Sequence, residues 1–182
     1  IQAFRHIDRR NFVLPEQRHE AYEDHPFPIG HNQTISQPTT VAMMLEWLQP
    51  QRGEKVLDVG TGSGWTTALL AYIVGPTGNV IGTELIPQLV EFGNKNIGKY
   101  NFPYATIHQA KKELGMPEKA PYDRILVSAA SKQVPQTLID QLNIGGVLVL
   151  PVQNSIWKIW RRDENETEIE KFEGFMFVPL IP

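Results

Sequence analysis

Short apolar runs alternate with amphipathic stretches through the middle of the chain. The apolar runs predict strands over 55–59, 79–82, 105–108, 123–128 and 146–151. The stretches between them predict helices over 66–74, 87–100 and 135–142. Strands that are apolar almost throughout and alternate with helices are typical of a parallel sheet covered on both faces. The pattern therefore predicts an α/β fold.

The N-terminal third departs from this alternation. Apolar residues at helical spacing predict a short helix over 1–12, its pattern carried by Ile1, Phe4, Ile7 and Phe12. Repeated proline and glycine predict an irregular arm over 13–38. A second apolar face predicts a helix over 39–48. Long irregular segments in compact domains are often functional, so the arm is a candidate for part of a site.

At the other end, the segments 156–162 and 168–178 flank the polar segment 163–167. This arrangement predicts an antiparallel hairpin added to the sheet. A length of 182 residues, 41% of them apolar, fits one domain with a sizeable core.

Composition narrows the classes of function. The net charge of −3 and the pI near 6.0 show none of the basic surplus of a duplex-binding module, so we expect no nucleic-acid partner. The absence of cysteine excludes disulfides, thiolate metal sites and a cysteine nucleophile. No apolar run approaches the ~20 residues of a membrane span. We expect a cytoplasmic protein without a membrane partner.

The sharpest local signal is the loop Gly60-Thr61-Gly62-Ser63-Gly64, which follows the first predicted strand. Open α/β sheets bind ligands at such strand ends. The dinucleotide fingerprint G-x-G-x-x-G requires glycine at position 65, where this chain has Trp65, and this argues against a nicotinamide dehydrogenase. No lysine follows Gly64, so the loop is not a phosphate-binding Walker loop either. A G-x-G-x-G loop preceded by an acid, here Asp58, resembles the first motif of S-adenosylmethionine-dependent methyltransferases.

An acidic residue ends the second predicted strand. Glu84 comes 20 residues after Gly64, where a carboxylate can accept hydrogen bonds from both ribose hydroxyls of a nucleoside. The alternative is a glycine-rich turn followed by a surface glutamate.

Three segments in and just before the arm point to one family. They are Asp8-Arg9-Arg10-Asn11-Phe12-Val13, Ala21-Tyr22-Glu23-Asp24 and the run from Pro26 to Pro38 that contains Gln33-Thr34-Ile35-Ser36-Gln37-Pro38. Together they resemble the protein-L-isoaspartate O-methyltransferase family. The likeness continues through 56–64, 120–130, 135–142, 145–152 and 177–180, and so covers nearly the whole chain.

The resemblance implies a Rossmann-like class I methyltransferase fold, with a mostly parallel seven-stranded sheet and a C-terminal antiparallel hairpin. We expect one domain over 1–182, made of an N-terminal part (1–50), a cofactor-binding core (51–152) and a hairpin (153–182). The arm should lie over the cofactor. The first residue is Ile1 rather than Met, so we expect a native start upstream. Members of this family usually begin a helix or two earlier than Ile1, and that part is either cut off or truly absent here.

The implied activity is transfer of a methyl group to the α-carboxylate of isoaspartyl residues in damaged proteins. The implied cofactor is S-adenosyl-L-methionine, with S-adenosyl-L-homocysteine as product, no metal, and a monomeric enzyme. Ser36 takes the position of the active-site hydroxyl. The expected cofactor-binding residues are Thr34, Ile35, Asp58, Gly60, Thr61, Gly62, Ser63, Gly64, Glu84 and Leu85. Without the resemblance, Ser36 would be interpreted as the N-cap of the helix after Pro38.

The chain departs from the family pattern in places. Ala110-Lys111-Lys112 stands where the family usually has Gly-Asp-Gly, whose acid meets the adenine amino group. His31-Asn32 replaces small residues. Two alternatives therefore stay open: a member that methylates another carboxylate, such as an aspartate in a modified peptide, and a degenerate member that serves as an interaction module.

Overall fold

A seven-stranded sheet organises the molecule. The structure is a computed structural model, and it describes residues 2–180. The nine strands are β1 (Phe27–Gly30), β2 (Gln33–Ile35), β3 (Lys55–Val59), β4 (Asn79–Glu84), β5 (Ala105–Gln109), β6 (Tyr122–Val127), β7 (Leu142–Val152), β8 (Ser155–Arg161) and β9 (Thr167–Glu173). The α-helices are α1 (Gln2–His6), α2 (Pro38–Leu48), α3 (Trp65–Val74), α4 (Pro87–Ile97) and α5 (Gln136–Asp140).

The strand order of the large sheet is β5-β4-β3-β6-β7-β8-β9. Strands β3 to β7 pair in parallel, whereas β7–β8 and β8–β9 pair antiparallel. The chain leaves β3 toward β4 on one side and returns to β6 on the other. The carboxyl end of β3 is therefore the point where the strand order reverses, which is where open α/β sheets form a ligand crevice.

Apolar residues of the central strands face alternate sides of this sheet, as a period of two requires. Val56 belongs to one core cluster and its neighbour Leu57 to the other. Helices α1 to α4 contribute to the first cluster, and α5 contributes to the second. The prediction of a parallel sheet covered on both faces is confirmed.

The N-terminal prediction was partly wrong. The helix expected over 1–12 ends at His6, and Ile1 lies outside the described residues. Asp8 then accepts a hydrogen bond from the backbone N–H of Arg10 (3.0 Å) and caps a separate 3₁₀ turn over Arg9–Asn11. A side chain that binds the backbone locally in this way interrupts a helix.

The arm is also more regular than its prolines suggested. Strands β1 and β2 form a small antiparallel hairpin whose turn places Gly30, His31 and Asn32 in the left-handed region. The apolar side chains of Phe27, Ile29 and Ile35 are buried in the first core cluster. The two strands have only four and three residues, so the alternation of apolar and polar residues was too short to predict them beside Pro26 and Pro28.

Two C-terminal boundaries also differ. The helix expected over 135–142 ends at Asp140, and β7 begins at Leu142 rather than at 146. Strand β9 ends at Glu173 instead of continuing to 178, because Gly174 turns the chain with a φ of 93°. The following segment returns to the sheet, where Pro179 bridges Ala130. Within residues 2–180, no helix has the length and apolar character needed to cross a membrane.

Candidate active site

A cleft opens at the carboxyl ends of β3 and β4. Its floor is the loop between β3 and α3, and one wall is the arm from Gln33 to Ser36. Nine of the eleven predicted site residues line it: Thr34, Ile35, Ser36, Gly60, Thr61, Gly62, Ser63, Glu84 and Leu85. The other two, Asp58 and Gly64, lie outside the lining.

The glycine loop requires glycine for two different reasons. Gly62 has a φ of 53°, and a Cβ there would stand 3.0 Å from Cδ1 of Ile29. The β1–β2 hairpin therefore rests directly on the loop. Gly64 has a φ of 87°, and a Cβ there would stand 3.1 Å from backbone atoms of Gly93 in α4. Gly64 thus serves the close packing of α3 on α4 rather than the cleft.

Glu84 is oriented by the backbone of its neighbours. Its side chain is buried, and its two carboxylate oxygens accept hydrogen bonds from the N–H groups of Gly62 (2.9 Å) and Ile86 (3.0 Å). A carboxylate oxygen has two acceptor positions, so each can take one more donor. This arrangement suits a ligand that presents two adjacent hydroxyl groups.

Asp58 lies beneath the loop and is fully buried. Its Oδ2 accepts hydrogen bonds from the hydroxyls of Thr66 (2.7 Å) and Thr67 (2.6 Å), whereas its Oδ1 has no partner among the described residues. Burial raises the pKa of Asp58 to about 6, the two threonine hydroxyls oppose this, and the charge of Glu84 adds to it. In this structure Asp58 holds the start of α3 under the glycine loop.

Ser36 lines the cleft and does not cap a helix. The N-cap of α2 is Gln37, and no side chain provides a cap hydrogen bond there. Among the described residues, the Ser36 hydroxyl has no hydrogen-bond partner, whereas its backbone carbonyl accepts one from the Arg9 guanidinium (3.0 Å). The helix-cap interpretation of Ser36 was wrong, and its hydroxyl remains available to a ligand.

The opposite wall contains residues that sequence reasoning missed. Ser128 and Ala129 follow β6, and the segment Val178–Leu180 closes the same side. Backbone hydrogen bonds anchor this segment to Ala130, which donates to the carbonyl of Val178 and accepts from the N–H of Leu180, both at 2.7 Å. The reversal of strand order could have predicted Ser128. Nothing in the local pattern marks 178–180 as part of a site.

The segment 110–112, which differs from the Gly-Asp-Gly of the family pattern, also lies at this cleft. Ala110, Lys111 and Lys112 line the end next to β5. Lys111 forms an ion pair with Glu118, and this hydrogen bond lowers the pKa of the Glu118 carboxyl. The position where the resemblance leads us to expect an acid is therefore occupied by a cation that already has a carboxylate partner.

The donor set fits an uncharged nucleoside better than a phosphate or a metal ion. The floor combines a fixed carboxylate with a loop that allows close backbone approach, and residues 2–180 contain no group of three His, Cys, Asp or Glu suited to a metal. No histidine is among the residues that line the cleft. Ser36 thus has no imidazole base beside it, and the site suits an attacking group that is already ionised.

Comparison with known proteins agrees with this geometry. The family model for protein-L-isoaspartate(D-aspartate) O-methyltransferase matches residues 1–182. A protein-L-isoaspartate O-methyltransferase of Ignicoccus hospitalis is 43% identical over 99% of this chain and 87% of its own length. One of Aeropyrum pernix is 46% identical over 100% of this chain and 72% of its own length.

A solved structure shows the same likeness in three dimensions. A protein-L-isoaspartate O-methyltransferase from Plasmodium falciparum, crystallised with S-adenosyl-L-homocysteine, superposes with a TM-score of 0.87 at 26% identity. The superposition covers 99% of this chain and 88% of that one.

Proposed function

The chain belongs to the protein-L-isoaspartate(D-aspartate) O-methyltransferase family, and we propose that its cleft transfers a methyl group from S-adenosylmethionine to isoaspartyl residues. The acceptor is the free α-carboxylate of an isoaspartyl residue in a damaged protein. The resulting ester can close to a succinimide, which can reopen to normal aspartate, so the activity is one of protein repair.

One observation supports this function most directly. Ser36 and Glu84 line the same cleft together with the glycine loop, and the Glu84 carboxylate accepts a hydrogen bond from Gly62 of that loop. In the proposed reaction Glu84 accepts the ribose hydroxyls, and Thr61, Gly62 and Ser63 form the floor beneath the cofactor. When bound, S-adenosylmethionine supplies a methyl group on a sulfonium, which is an excellent leaving group.

The residues present are sufficient for this chemistry. The acceptor carboxylate has an ordinary pKa of roughly 4 and is ionised at neutral pH, so no strong general base is needed. The protein has to align the reacting atoms and exclude water. The arm supplies one wall of the cleft and the segment 178–180 supplies the other. Ser36 donates a hydrogen bond that holds the acceptor carboxylate, and it does not act as a nucleophile.

A paired-peptide assay tests the proposal. Two synthetic peptides of one sequence, with isoaspartate or normal aspartate at a single position, are incubated with the protein and S-adenosylmethionine labelled in the methyl group. We expect label in the isoaspartyl peptide only. Equal labelling of both peptides would favour a different carboxylate substrate.

A second candidate function is that of an interaction module. It is supported by Lys111, which lines the cleft where the family usually has an acid, because a weakened cofactor site would suit such a member. No labelling of either peptide, together with no binding of S-adenosylhomocysteine at millimolar concentration, would favour that candidate. The monomeric state and the cytoplasmic location stay predictions.

A further inference from the structure

Arg9 is completely buried, which is unusual for an arginine. Its guanidinium donates hydrogen bonds to three backbone carbonyls of the N-terminal region. Nη1 donates to Ala21, and Nη2 donates to Ser36 (3.0 Å) and, more weakly, to His25 (3.4 Å). The Arg9 side chain thus joins three points of the arm. The furthest of them, Ser36, is 27 residues away along the chain.

The same guanidinium joins the arm to the start of α3. Its central carbon lies 5.3 Å from the ring centre of Phe27 in β1 and 5.1 Å from that of Trp65 at the start of α3. Trp65 lines the cleft. Cation–π contacts of this kind are strongest when they are removed from water.

The charge of Arg9 meets backbone carbonyls at hydrogen-bond distance and the carboxylate of Asp24 at longer range. Within residues 2–180, no carboxylate oxygen lies within 4.0 Å of its guanidinium nitrogens. Burial lowers the pKa of Arg9 to about 10, so the group is still cationic at neutral pH. A lysine in its place would carry the charge without the planar fork that reaches several carbonyls at once.

We propose that Arg9 is a positioning residue for methyl transfer, because it fixes the backbone of Ser36 and so places the Ser36 hydroxyl in the cleft. This inference rests on the proposed function. The cofactor floor depends instead on the glycine loop and Glu84, whose hydrogen bonds do not involve Arg9. Loss of Arg9 should therefore slow the reaction more than it weakens cofactor binding.

A double-mutant cycle tests this role. Arg9→Lys and Arg9→Met are made in the wild-type protein and in Ser36→Ala, and kcat is measured with the isoaspartyl peptide. We expect each Arg9 substitution to lower kcat about 10- to 100-fold when Ser36 is present, since misplacement of about 1 Å can cost 100-fold. In Ser36→Ala the same substitutions should lower kcat less than about threefold, because the hydroxyl they misplace is already absent.

The matched control is Ile7→Ala, which removes buried side-chain atoms from the same N-terminal segment, whereas the hydrogen bond to the Ser36 carbonyl comes from Arg9. Its effect on kcat should be the same in both backgrounds. All rates are measured below the melting temperature of every variant, with titration of S-adenosylhomocysteine as a check on the cofactor floor. If Arg9→Met does not fold, Arg9→Lys completes the cycle alone.

Equal losses from the Arg9 substitutions in both backgrounds would overturn the inference, and so would unchanged kcat with Ser36 present. An inactive wild-type protein would instead count against the proposed function, so the two failures are distinguishable.

Discussion

The carboxylate of Glu84 accepts a hydrogen bond from the backbone N–H of Gly62 at 2.9 Å. This bond joins the end of β4 to the middle of the loop that follows β3. It fixes the carboxylate before any ligand arrives, and it fixes the glycine loop in turn. Preorganisation of this kind lowers the cost of ordering a site on binding.

Glu84 should dominate cofactor affinity. Glu84→Ala removes the proposed charged acceptor of the ribose hydroxyls and also frees the N–H groups of Gly62 and Ile86. Hydrogen bonds to charged groups contribute about 1.5–3 kcal/mol each, so the Kd for S-adenosylhomocysteine should rise at least 10-fold. Isothermal titration measures it, with the exposed Glu91→Gln as control. A change below threefold in Glu84→Ala would place the ribose elsewhere.

Ser36→Ala should separate activity from stability. Because Ser36 does not cap α2, the substitution should leave the melting temperature within about 2 °C of the wild type. Because its hydroxyl faces the proposed acceptor, kcat should fall about 10- to 100-fold. Thermal melts and initial rates measure the two effects. A large loss of stability with unchanged kcat would return Ser36 to a structural role.

Gly64→Ala and Gly145→Ala form a matched pair for stability. The φ angle is 87° at Gly64 and 82° at Gly145. Alanine is strained in this left-handed region, so both substitutions should destabilise the fold by about 1–2 kcal/mol. Only at Gly64 would the new Cβ also press on Gly93, at 3.1 Å. Chemical denaturation should show the larger loss in unfolding free energy for Gly64→Ala. Equal losses would show that α3 and α4 can separate without penalty.

Asp58 should make stability depend on pH. Its pKa is raised from 3.8 in a free chain to about 6 in the fold, so the native state binds the extra proton between these values. Its contribution to stability is therefore fully present below pH 4 and is lost as the pH rises through 6. Asp58→Asn has no such titration. Its unfolding free energy, measured relative to that of the wild type, should therefore rise by on the order of 3 kcal/mol between pH 4 and pH 7.5. Denaturation at both pH values measures it; a pH-independent difference would contradict the raised pKa.

Lys111 should weaken cofactor binding. If the adenine amino group lies at the end of the cleft next to β5, Lys111→Asp restores an acceptor and should tighten S-adenosylhomocysteine about fivefold, equivalent to ~1 kcal/mol. Lys111→Ala is the control, because it removes the cation without adding an acceptor. An identical Kd for both variants would show that the base makes no contact at position 111.

The core of the fold was predictable because its signals are local. Buried parallel strands give continuous apolar runs, and glycines such as Gly60 and Gly62 mark the loop between β3 and α3. The fold class and the placement of Glu84 at a strand end were confirmed. The arm sequence around Ser36 gave the family, which neither periodicity nor composition could have supplied.

The remaining parts of the site depend on contacts between distant segments. The segment 178–180 reaches the cleft only because Gly174 ends β9 and Ala130 provides backbone partners. The burial of Arg9 depends on three carbonyls and two rings that the sequence does not place together. The separation of Asp58 and Gly64 from the cleft follows from the packing of α3, which a motif does not describe.

The proposed methyl transfer is tested most directly by following one isoaspartyl peptide by mass spectrometry during incubation with the protein and S-adenosylmethionine. We expect a product one methyl group heavier, with the methyl located on the isoaspartyl α-carboxylate, followed by the succinimide and then by peptide with normal aspartate. If the protein binds S-adenosylhomocysteine and yet yields no methylated isoaspartyl peptide, the assignment of this cleft to isoaspartyl methylation is contradicted.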